Sequence, residues 1–368
     1  MLARLAREVA PGSAADCGPV VVFTTDPTSQ ERVMPDCIPE EADFSGKVVQ
    51  LGFRYTCSSS IIPTWEIKNV TIAGGSVIPD PDGKEAGWLE LPALGETSSN
   101  YFYGCFYGTS VGAVTGQGSA RNYSYLYDKS MYTAYWVAYP LYSSTIGGSR
   151  EGSWMQNTML PLSAQVNCWS ASYNVILGET DYTDSASASG RNYYARGHQI
   201  PDADRSNHSV MQQQTYYATN STPQIQNKFN DGVWSTLEAN VRSAIPSSDT
   251  LYVVTGASFN KVGESRDVVR ITPKGDPGKR VPVPNYYWKV LLKVKRSGGA
   301  VTSASAIGFW LEHKEYSSNS SWSSAAVSVD AIEQYTGFDF FANLPGDNAS
   351  GIESRAESNA SWSTFKAF

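Results

Sequence analysis

Short runs of aromatic and branched apolar residues, interspersed with Ser, Thr, Gly and Asn, recur along the chain from residue 101 onwards. Such runs, bounded by turn-forming residues, are typical of β-strands, because branched and aromatic side chains fit a pleated, half-buried surface. The runs are Tyr101–Tyr107, Tyr132–Tyr139, Leu251–Gly256, Tyr286–Lys295 and Ala304–Leu311. We therefore predict a β-rich core whose strands are joined by irregular connections.

A helical pattern replaces the strand pattern after residue 226. The apolar residues that recur at every fourth position are Phe229, Val233, Leu237, Val241 and Ile245. This spacing places them on one buried helix face, with Asn227 as a candidate N-cap. A second helix is predicted over Ser328–Gly337, because an acidic residue lies in its first turn and Gly337 provides a stop.

The residue pattern of the chain changes twice, and these changes predict three segments. Residues 1–95 contain short β-like runs and a strong turn at Pro79–Lys84, which predicts a small β-rich accessory module of unknown role. Residues 96–345 carry the aromatic strands, both predicted helices and all the candidate chemistry. Residues 346–368 are rich in Ser and Asn, and we expect them to be poorly ordered.

Composition and charge exclude several classes of protein. The chain has 368 residues, 17% of them charged, and a net charge of −7, which argues against a broadly cationic surface for nucleic acid or lipid. A local basic cleft stays possible, since phosphate contacts need only a few Arg or Lys residues. No apolar run is long enough to span a membrane. Five cysteines without CxxC spacing and three histidines argue against a structural zinc site and leave the disulfide pairing open.

The candidate chemistry lies in two stretches, around residue 198 and between residues 220 and 242. His198 lies between Gly197 and Pro201, at a strand or strand end, and Arg196 and Arg205 flank it. Nearby cations disfavour a protonated imidazole, so we expect a lowered pKa and a ring that is available as a base.

Further along the predicted helix, Asn230 and Glu238 are eight residues apart. On a continuous helix this spacing separates their directions by about 80°, so both side chains can face one cleft.

These stretches resemble the DNA/RNA non-specific endonucleases, the ββα-metal nucleases that include the Serratia nuclease and endonuclease G. The residues that carry the resemblance are Arg196-Gly197-His198, Asn220-Ser-Thr-Pro-Gln224 and Asn230-x-Gly-x-Trp-x-x-Leu-Glu238, with weaker matches at Trp136–Pro140, Val254–Gly256, Pro284–Val290 and Val329–Gly337. The resemblance covers residues 96–345. It implies an α+β fold with a central antiparallel sheet flanked by helices, preceded here by the β-rich N-terminal module.

The resemblance also implies a role for each matching residue. His198 would be the general base that deprotonates the attacking water, and Asn230 would be the single protein ligand of a catalytic Mg²⁺, with Mn²⁺ as a substitute. Glu238 would orient water at the metal, and Asn220 would hold the backbone of the site. The phosphate-binding cations would be Arg196, Arg242 and, on a weaker local match, Arg150.

Two departures from the family pattern leave one assignment open. Ala195 stands where many members carry Asp, and the spacing from Gln224 to Asn230 is one residue longer than in the best-known members. If the helix start shifts with that insertion, Asn227 rather than Asn230 faces the metal. We prefer Asn230 because it keeps the register to Trp234 and Glu238.

The function implied by the resemblance is metal-dependent hydrolysis of DNA and RNA with little sequence specificity. The sequence contains no recognition-helix or zinc-finger pattern that reads bases, which favours recognition of the backbone. Two alternatives stay open: a catalytically inactive relative that binds nucleic acid or glycan, and a secreted nuclease toxin with an immunity protein as inhibitor. An unrestricted nuclease would damage its host, so we expect an extracellular or periplasmic location. The oligomeric state is left open.

Overall fold

The computed structural model describes residues 88–93, 98–109, 119–184, 190–246, 250–298, 300–344 and 352–368. The chain divides into two units, Met1–Pro81 and Asp82–Phe368, and all described residues belong to the second. The predicted β-rich module of residues 1–95 therefore lies almost wholly outside the described residues. Its existence and the predicted boundaries near residues 95 and 345 stay predictions.

A seven-stranded antiparallel sheet forms the centre of the second unit, with strand order β1-β2-β3-β6-β9-β10-β11. Its strands are β1 (Tyr101–Thr109), β2 (Ser119–Asp128), β3 (Thr133–Leu141), β6 (Leu251–Ser258), β9 (Tyr286–Ser297), β10 (Ala300–Glu312) and β11 (Ala326–Val327). All five predicted strands are present. Strand β2 was not predicted, because polar residues such as Arg121, Asn122 and Ser124 interrupt its tyrosines.

Both faces of the sheet are covered, as the alternation along β3 illustrates. Val137 and Tyr139 belong to a core on one face, whereas Trp136 and Ala138 belong to a second core on the other. Helix α2 (Ser235–Ser243) packs on the first face through buried Leu237 and Val241.

On the second face lies α3 (Val329–Thr336), which begins at the Ser328 cap and ends at left-handed Gly337, as predicted. The protein is therefore an α+β fold with helices on both faces of its sheet. A further short helix, α1, spans Ser209–Thr215. None of the helices in the described residues has the length and apolar composition that crossing a bilayer requires.

The prediction of one continuous helix from Asn227 to Ile245 is wrong. Residues Gln226–Trp234 form a kinked segment: Asn227 is extended, Lys228 is left-handed with φ 69°, and Gly232 leaves the helical region at φ −126° and ψ −109°. The Asp231 carboxylate accepts hydrogen bonds from the Lys228 amide (3.2 Å) and the Gln226 side chain (3.3 Å), so it closes a local turn in place of an N-cap. Regular helix begins only at Ser235.

The stripe of apolar residues stays buried on both sides of the kink, but the helix is not continuous across it. The residues Phe229, Val233, Leu237 and Val241 are all at most 1% exposed. The relative direction of Asn230 and Glu238, however, cannot be derived from helix periodicity, because the break at Asp231 and Gly232 lies between them.

The expectation of poor order for residues 346–368 is wrong for residues 352–368. They form α4 (Ile352–Glu357) and α5 (Trp362–Ala367). The Phe365 ring is fully buried, and Trp362 contacts Phe309 of β10 with ring centroids 5.7 Å apart. These apolar anchors, sparse within a Ser- and Asn-rich composition, suffice to attach the segment to the sheet.

A separate two-stranded ribbon carries the predicted histidine. It pairs β4 (Tyr194–His198) with β5 (Ser221–Ile225), with His198 opposite Ser221. Tyr287 of β9 donates a hydrogen bond to the Pro223 carbonyl (2.9 Å), and the Ile225 amide donates to Nε2 of His313 (2.9 Å). Burial lowers the pKa of His313 to about 4. The hydrogen bond between its Nδ1 and the Pro284 carbonyl acts in the opposite direction but is outweighed. His313 is thus a neutral structural histidine that fixes the ribbon on the sheet.

The other short strands are β7 (Arg270–Ile271) and β8 (Val281–Pro282), which pair with each other. Cys105 and Cys168 form no disulfide. The other cysteines of the chain lie outside the described residues.

Candidate active site

His198 ends strand β4 and is enclosed by two aromatic rings. The Trp154 ring centroid lies 4.5 Å from that of the imidazole, and Tyr216 meets it edge-on at 4.9 Å. Its Nε2 atom is buried and has no hydrogen-bond partner among the described residues. The imidazole therefore has one nitrogen closed off from water, and the prediction that it lies at a strand end is confirmed.

The environment of His198 keeps its ring neutral. Burial lowers its pKa to about 4, the positive charges of Arg150 and Arg196 act in the same direction, and the Asp202 carboxylate opposes them. The predicted direction of the shift is confirmed, although burial is its first cause and Arg205 takes no part. A neutral imidazole at pH 7 can accept a proton.

Arg205 has a structural role, so its predicted influence on His198 is wrong. The guanidinium is fully buried, and it donates to Asn122 Oδ1 (2.6 Å) and to the carbonyls of Asn122 (2.8 Å) and Pro140 (2.8 Å). These bonds tie the loop after β4 to strands β2 and β3.

Asp202 is a site residue that the sequence analysis missed. The buried carboxylate accepts hydrogen bonds from Arg150 Nε (2.5 Å) and from the Tyr216 hydroxyl (2.8 Å). Burial raises its pKa, but His198 and these two hydrogen bonds outweigh burial and hold the pKa below its usual value. Asp202 therefore stays ionised and holds Arg150, 69% exposed, beside the imidazole.

A second buried carboxylate, Asp204, holds Arg242. It accepts from Arg242 Nη1 (2.9 Å) and from the Tyr139 hydroxyl of β3 (2.8 Å). The guanidinium of Arg242 is thereby fixed at the last turn of α2, with 22% of the side chain exposed.

Glu238, in the first turn of α2, shares this acidic environment. Burial raises the pKa of its carboxyl, Lys289 and Arg242 oppose the rise, and Asp204 and Asp202 add to it. Lys289 is itself buried, donates to Thr255 Oγ1 (3.0 Å) and lies 4.5 Å from the centre of the Trp234 ring. Asp202 acts on the pKa of both His198 and Glu238, and the placement of these two residues in one active site stays a prediction.

Arg196 contacts Trp154, a neighbour of the His198 ring, and Asn220 contacts the chain that follows His198. Arg196 donates to the Cys168 carbonyl (2.9 Å) and stacks 5.3 Å from the centre of the Trp154 ring. Asn220 is buried, donates to the carbonyls of Ile200 (3.0 Å) and Thr215 (2.7 Å), and accepts from the Ile200 amide (3.0 Å). These bonds agree with the predicted role of Asn220 in holding the backbone just after His198.

Gly197 is required by the close approach of Gln224 from β5. A Cβ atom on Gly197 would lie 2.2 Å from Gln224 Cδ, so any side chain there displaces the glutamine. Both amide atoms of Gln224 are buried without a hydrogen-bond partner among the described residues. Packing of Gln224 against position 197 thus favours a glycine directly before His198.

Asn230 lies within the kinked segment Gln226–Trp234, which packs against β4. Its Nδ2 donates to Gln226 Oε1 (3.1 Å), which turns the amide so that Oδ1 takes part in no described hydrogen bond. The alternative ligand, Asn227, is exposed, and its backbone is tied to the Asn192 side chain at 2.9 and 3.0 Å. An available carboxamide oxygen suits a hard cation such as Mg²⁺. The metal assignment of Asn230 stays a prediction.

Another acidic group lies away from these residues. Among the described residues, the one set of three carboxylates whose oxygens lie within 4.8 Å of one another is Asp330, Glu333 and Glu357. It belongs to α3 and α4 and includes none of the predicted site residues.

Comparison with known proteins places this geometry in context. Residues 107–347 match the family model described as DNA/RNA non-specific endonuclease. The chain is 27% identical to a nuclease of Nostoc over 284 residues, 73% of this chain and 91% of that protein. It is 28% identical to a nuclease of Serratia marcescens, over 60% of this chain and 73% of that protein.

Other relatives match over shorter spans. Mitochondrial nuclease 1 of Schizosaccharomyces pombe is 29% identical over 42% of this chain and 48% of its own length, so the match covers about half of that relative. A solved complex of EndoG with EndoGI aligns with 64% of this chain and 93% of that chain, at 20% identity and a TM-score of 0.45.

Proposed function

Because the chain belongs to the DNA/RNA non-specific endonuclease family, we propose that it hydrolyses phosphodiester bonds in both DNA and RNA with little sequence specificity. The observation that carries the proposal is the imidazole of His198 at the end of β4, which burial and the positive charges of Arg150 and Arg196 keep neutral. A neutral base beside guanidinium groups suits attack by water on an anionic diester.

We assign the proton transfer to Nδ1 of His198. Nε2 is enclosed and has no partner, so Nδ1 is the ring nitrogen that can reach a substrate water. The neutral ring then carries its hydrogen on Nε2, and Nδ1 takes the proton from the attacking water. Trp154 and Tyr216 fix the plane of the ring and exclude bulk water from its inner edge.

The residues fit a divalent cation held by one amide oxygen. Asn230 offers Oδ1, and its Nδ2 hydrogen bond to Gln226 keeps that oxygen oriented. Bound there, Mg²⁺, or Mn²⁺ in its place, would withdraw charge from the phosphoryl oxygens and from the departing 3′ oxygen. We assign to Glu238 the orientation of water beside the reacting phosphate, since the Asp202 carboxylate acts on both Glu238 and His198.

Three arginines supply positive charge for the substrate backbone. Each of the two buried aspartates holds one arginine. Arg150, held by Asp202, is more exposed than Arg242, held by Asp204. Arg196 is held by the Cys168 carbonyl and the face of Trp154. Guanidinium groups bind phosphate oxygens and carry no base information, which accounts for the proposed lack of sequence specificity. An enzyme of this kind would harm its host's nucleic acid, so we propose that it acts outside the cytosol.

A nuclease assay with and without chelator tests the proposal. We expect supercoiled plasmid and ribosomal RNA both to be degraded when Mg²⁺ is supplied in excess, and both to survive in EDTA. Intact DNA and RNA in Mg²⁺ and in Mn²⁺, with binding retained, would instead favour the inactive nucleic-acid-binding relative. Persistence of cleavage in EDTA contradicts the metal dependence. An inhibitor that copurifies with the chain and blocks cleavage supports the toxin alternative.

A further inference from the structure

Lysines occupy alternate positions along β9, on the face of the sheet that carries the candidate active site. Lys289, Lys293 and Lys295 are separated by even numbers of residues, so they point to the same face as Tyr287 and Leu291 of the first core. Lys289 lies by Trp234 and within the electrostatic environment of Glu238. The row therefore begins inside the site and leads away from it.

Strand register gives the distance between the row and the site. Tyr139, whose hydroxyl holds Asp204, lies opposite Val253, and Val253 lies opposite Leu291. Lys293 and Lys295 follow Leu291 by two and four residues, that is by about 7 and 14 Å along the strand. Along β9, these two lysines therefore lie just beyond the position level with Tyr139, which holds Asp204.

A groove of about 890 Å³ opens at this end of the sheet. It lies between the last turn of α2 and the C-terminal helix α5, and its described lining contains Ser243–Pro246, Lys293–Arg296, Lys366 and Phe368, with no acidic residue among them. Ser243 directly follows Arg242, so the groove continues the line of positive charge that starts at the site. In a chain of net charge −7, a groove whose described lining carries four basic and no acidic side chains stands out from the average surface.

The cations of the groove divide into one structural lysine and three exposed groups. Lys293 is 6% exposed and donates to the carbonyls of Phe365 (3.1 Å) and Lys366 (3.4 Å), so it fixes α5 in place. Lys295, Arg296 and Lys366 are exposed. Lys293, Lys295 and Lys366 take part in no ion pair among the described residues, and Lys295 lies 4.2 Å from the Phe368 ring centre. Burial, with the repulsion of Lys366 added, lowers the pKa of Lys293.

We propose that this groove binds the phosphate backbone of the nucleic acid that flanks the cleaved bond. Lys295 and Lys366 contact phosphates one to a few nucleotides from the bond held at His198 and Arg242. This inference rests on the proposed nuclease function and adds to it an extended backbone-binding surface. Contacts of this kind depend on charge and not on base sequence. They weaken as the salt concentration rises, because the release of counterions from the nucleic acid then becomes less favourable.

The experiment measures binding of a fluorescein-labelled 30-bp duplex by anisotropy in EDTA, so that it does not depend on cleavage. We expect the double variant Lys295→Gln/Lys366→Gln to bind about 10-fold more weakly at low salt and to lower the slope of log K against log [salt] by about 1.8. Lys366→Gln alone should lower the slope by about 0.9. Both positions are exposed, so the variants should fold, which a thermal melt checks.

A charge-matched control removes two cations at the other end of the sheet. Lys129 lies in the turn between β2 and β3, and Arg270 contacts Met131 of the same turn. We expect Lys129→Gln/Arg270→Gln to leave affinity and slope close to wild type. Equal affinities and slopes for wild type and the groove variant overturn the proposal, as does an equal loss in the control variant.

Cleavage assays separate a failure of the groove from a failure of the proposed function. We expect the groove variant to keep wild-type kcat/KM on a dinucleotide, which has no flanking phosphate, and to raise KM on the 30-bp duplex. A wild-type protein that cleaves neither substrate contradicts the nuclease function. A groove variant with wild-type KM on the duplex contradicts the groove alone.

Discussion

Replacing His198 by alanine is expected to lower kcat on plasmid DNA by about 10²–10⁴-fold, the usual contribution of a general base. The neutral imidazole at the end of β4 is the group we assign to proton removal from water, and nothing else described at this position can take over. Because Nε2 makes no hydrogen bond, the substitution breaks none in the described structure, and the fold should persist. Single-turnover kinetics at saturating Mg²⁺ measures the loss directly.

His208→Ala is a matched control for this experiment. Nδ1 of His208 caps α1 by accepting from the Met211 amide (3.2 Å), so its loss should cost stability of about 1 kcal/mol and leave kcat near the wild-type value. A His198→Ala protein that cleaves as fast as wild type would remove His198 from the mechanism. Equal losses in both histidine variants would indicate a general loss of structure.

Replacing Asn230 by alanine should raise the Mg²⁺ concentration needed for half-maximal activity and reduce activity at fixed Mg²⁺. Removal of a residue that only hydrogen-bonds a metal ligand costs about 10–100-fold in metal affinity or activity, and we expect removal of the ligand itself to cost at least as much. The physical reason is that Asn230 Oδ1, on the segment packed against β4, takes part in no described hydrogen bond and can bind a cation. Titration of activity with Mg²⁺ and with Mn²⁺ is the measurement.

Asn227→Ala tests the alternative left open by the one-residue insertion. Its side chain is exposed and its backbone is held by Asn192, so we expect activity and Mg²⁺ dependence like those of wild type. The reverse result, with Asn227→Ala impaired and Asn230→Ala unaffected, would move the metal to Asn227.

The strands were predictable because their signal is local. Runs such as Tyr286–Lys295 bury nearly every side chain between two cores, and a central strand of this kind needs aromatic and branched residues throughout. Strand β2 lacked that signal because its polar residues are satisfied by distant partners. Asn122, for example, donates to the Met211 carbonyl (2.8 Å) and accepts from Arg205 (2.6 Å).

The kink was not predictable from periodicity. The four-residue spacing of Phe229, Val233 and Leu237 is preserved in their burial, although the backbone between them leaves the helix. The signals that could have indicated the break were Asp231 and Gly232, a pair typical of turns. Gly232 also faces Asn319, and a Cβ there would lie 3.2 Å from Asn319 Oδ1.

Among the candidate site residues, those within the motif could be proposed from the sequence, and those set by tertiary contacts could not. His198 and Glu238 stand at recognisable spacings, whereas Asp202 gains its role from Arg150, 52 residues away, and Asp204 gains its role from Tyr139, 65 residues away. Local sequence shows the two aspartates but not the partners that make them part of the site. The same limit applies to the groove, because its cations come from β9 and α5.

The most direct test of the account is a crystal structure of the His198→Ala protein with Mn²⁺ and a short DNA duplex, with the ion located by its anomalous scattering. We expect one anomalous peak beside Asn230 Oδ1, with a phosphate between the ion and the space left by the imidazole. A peak at Asp330, Glu333 and Glu357 alone, or DNA bound away from residue 198, would contradict the account.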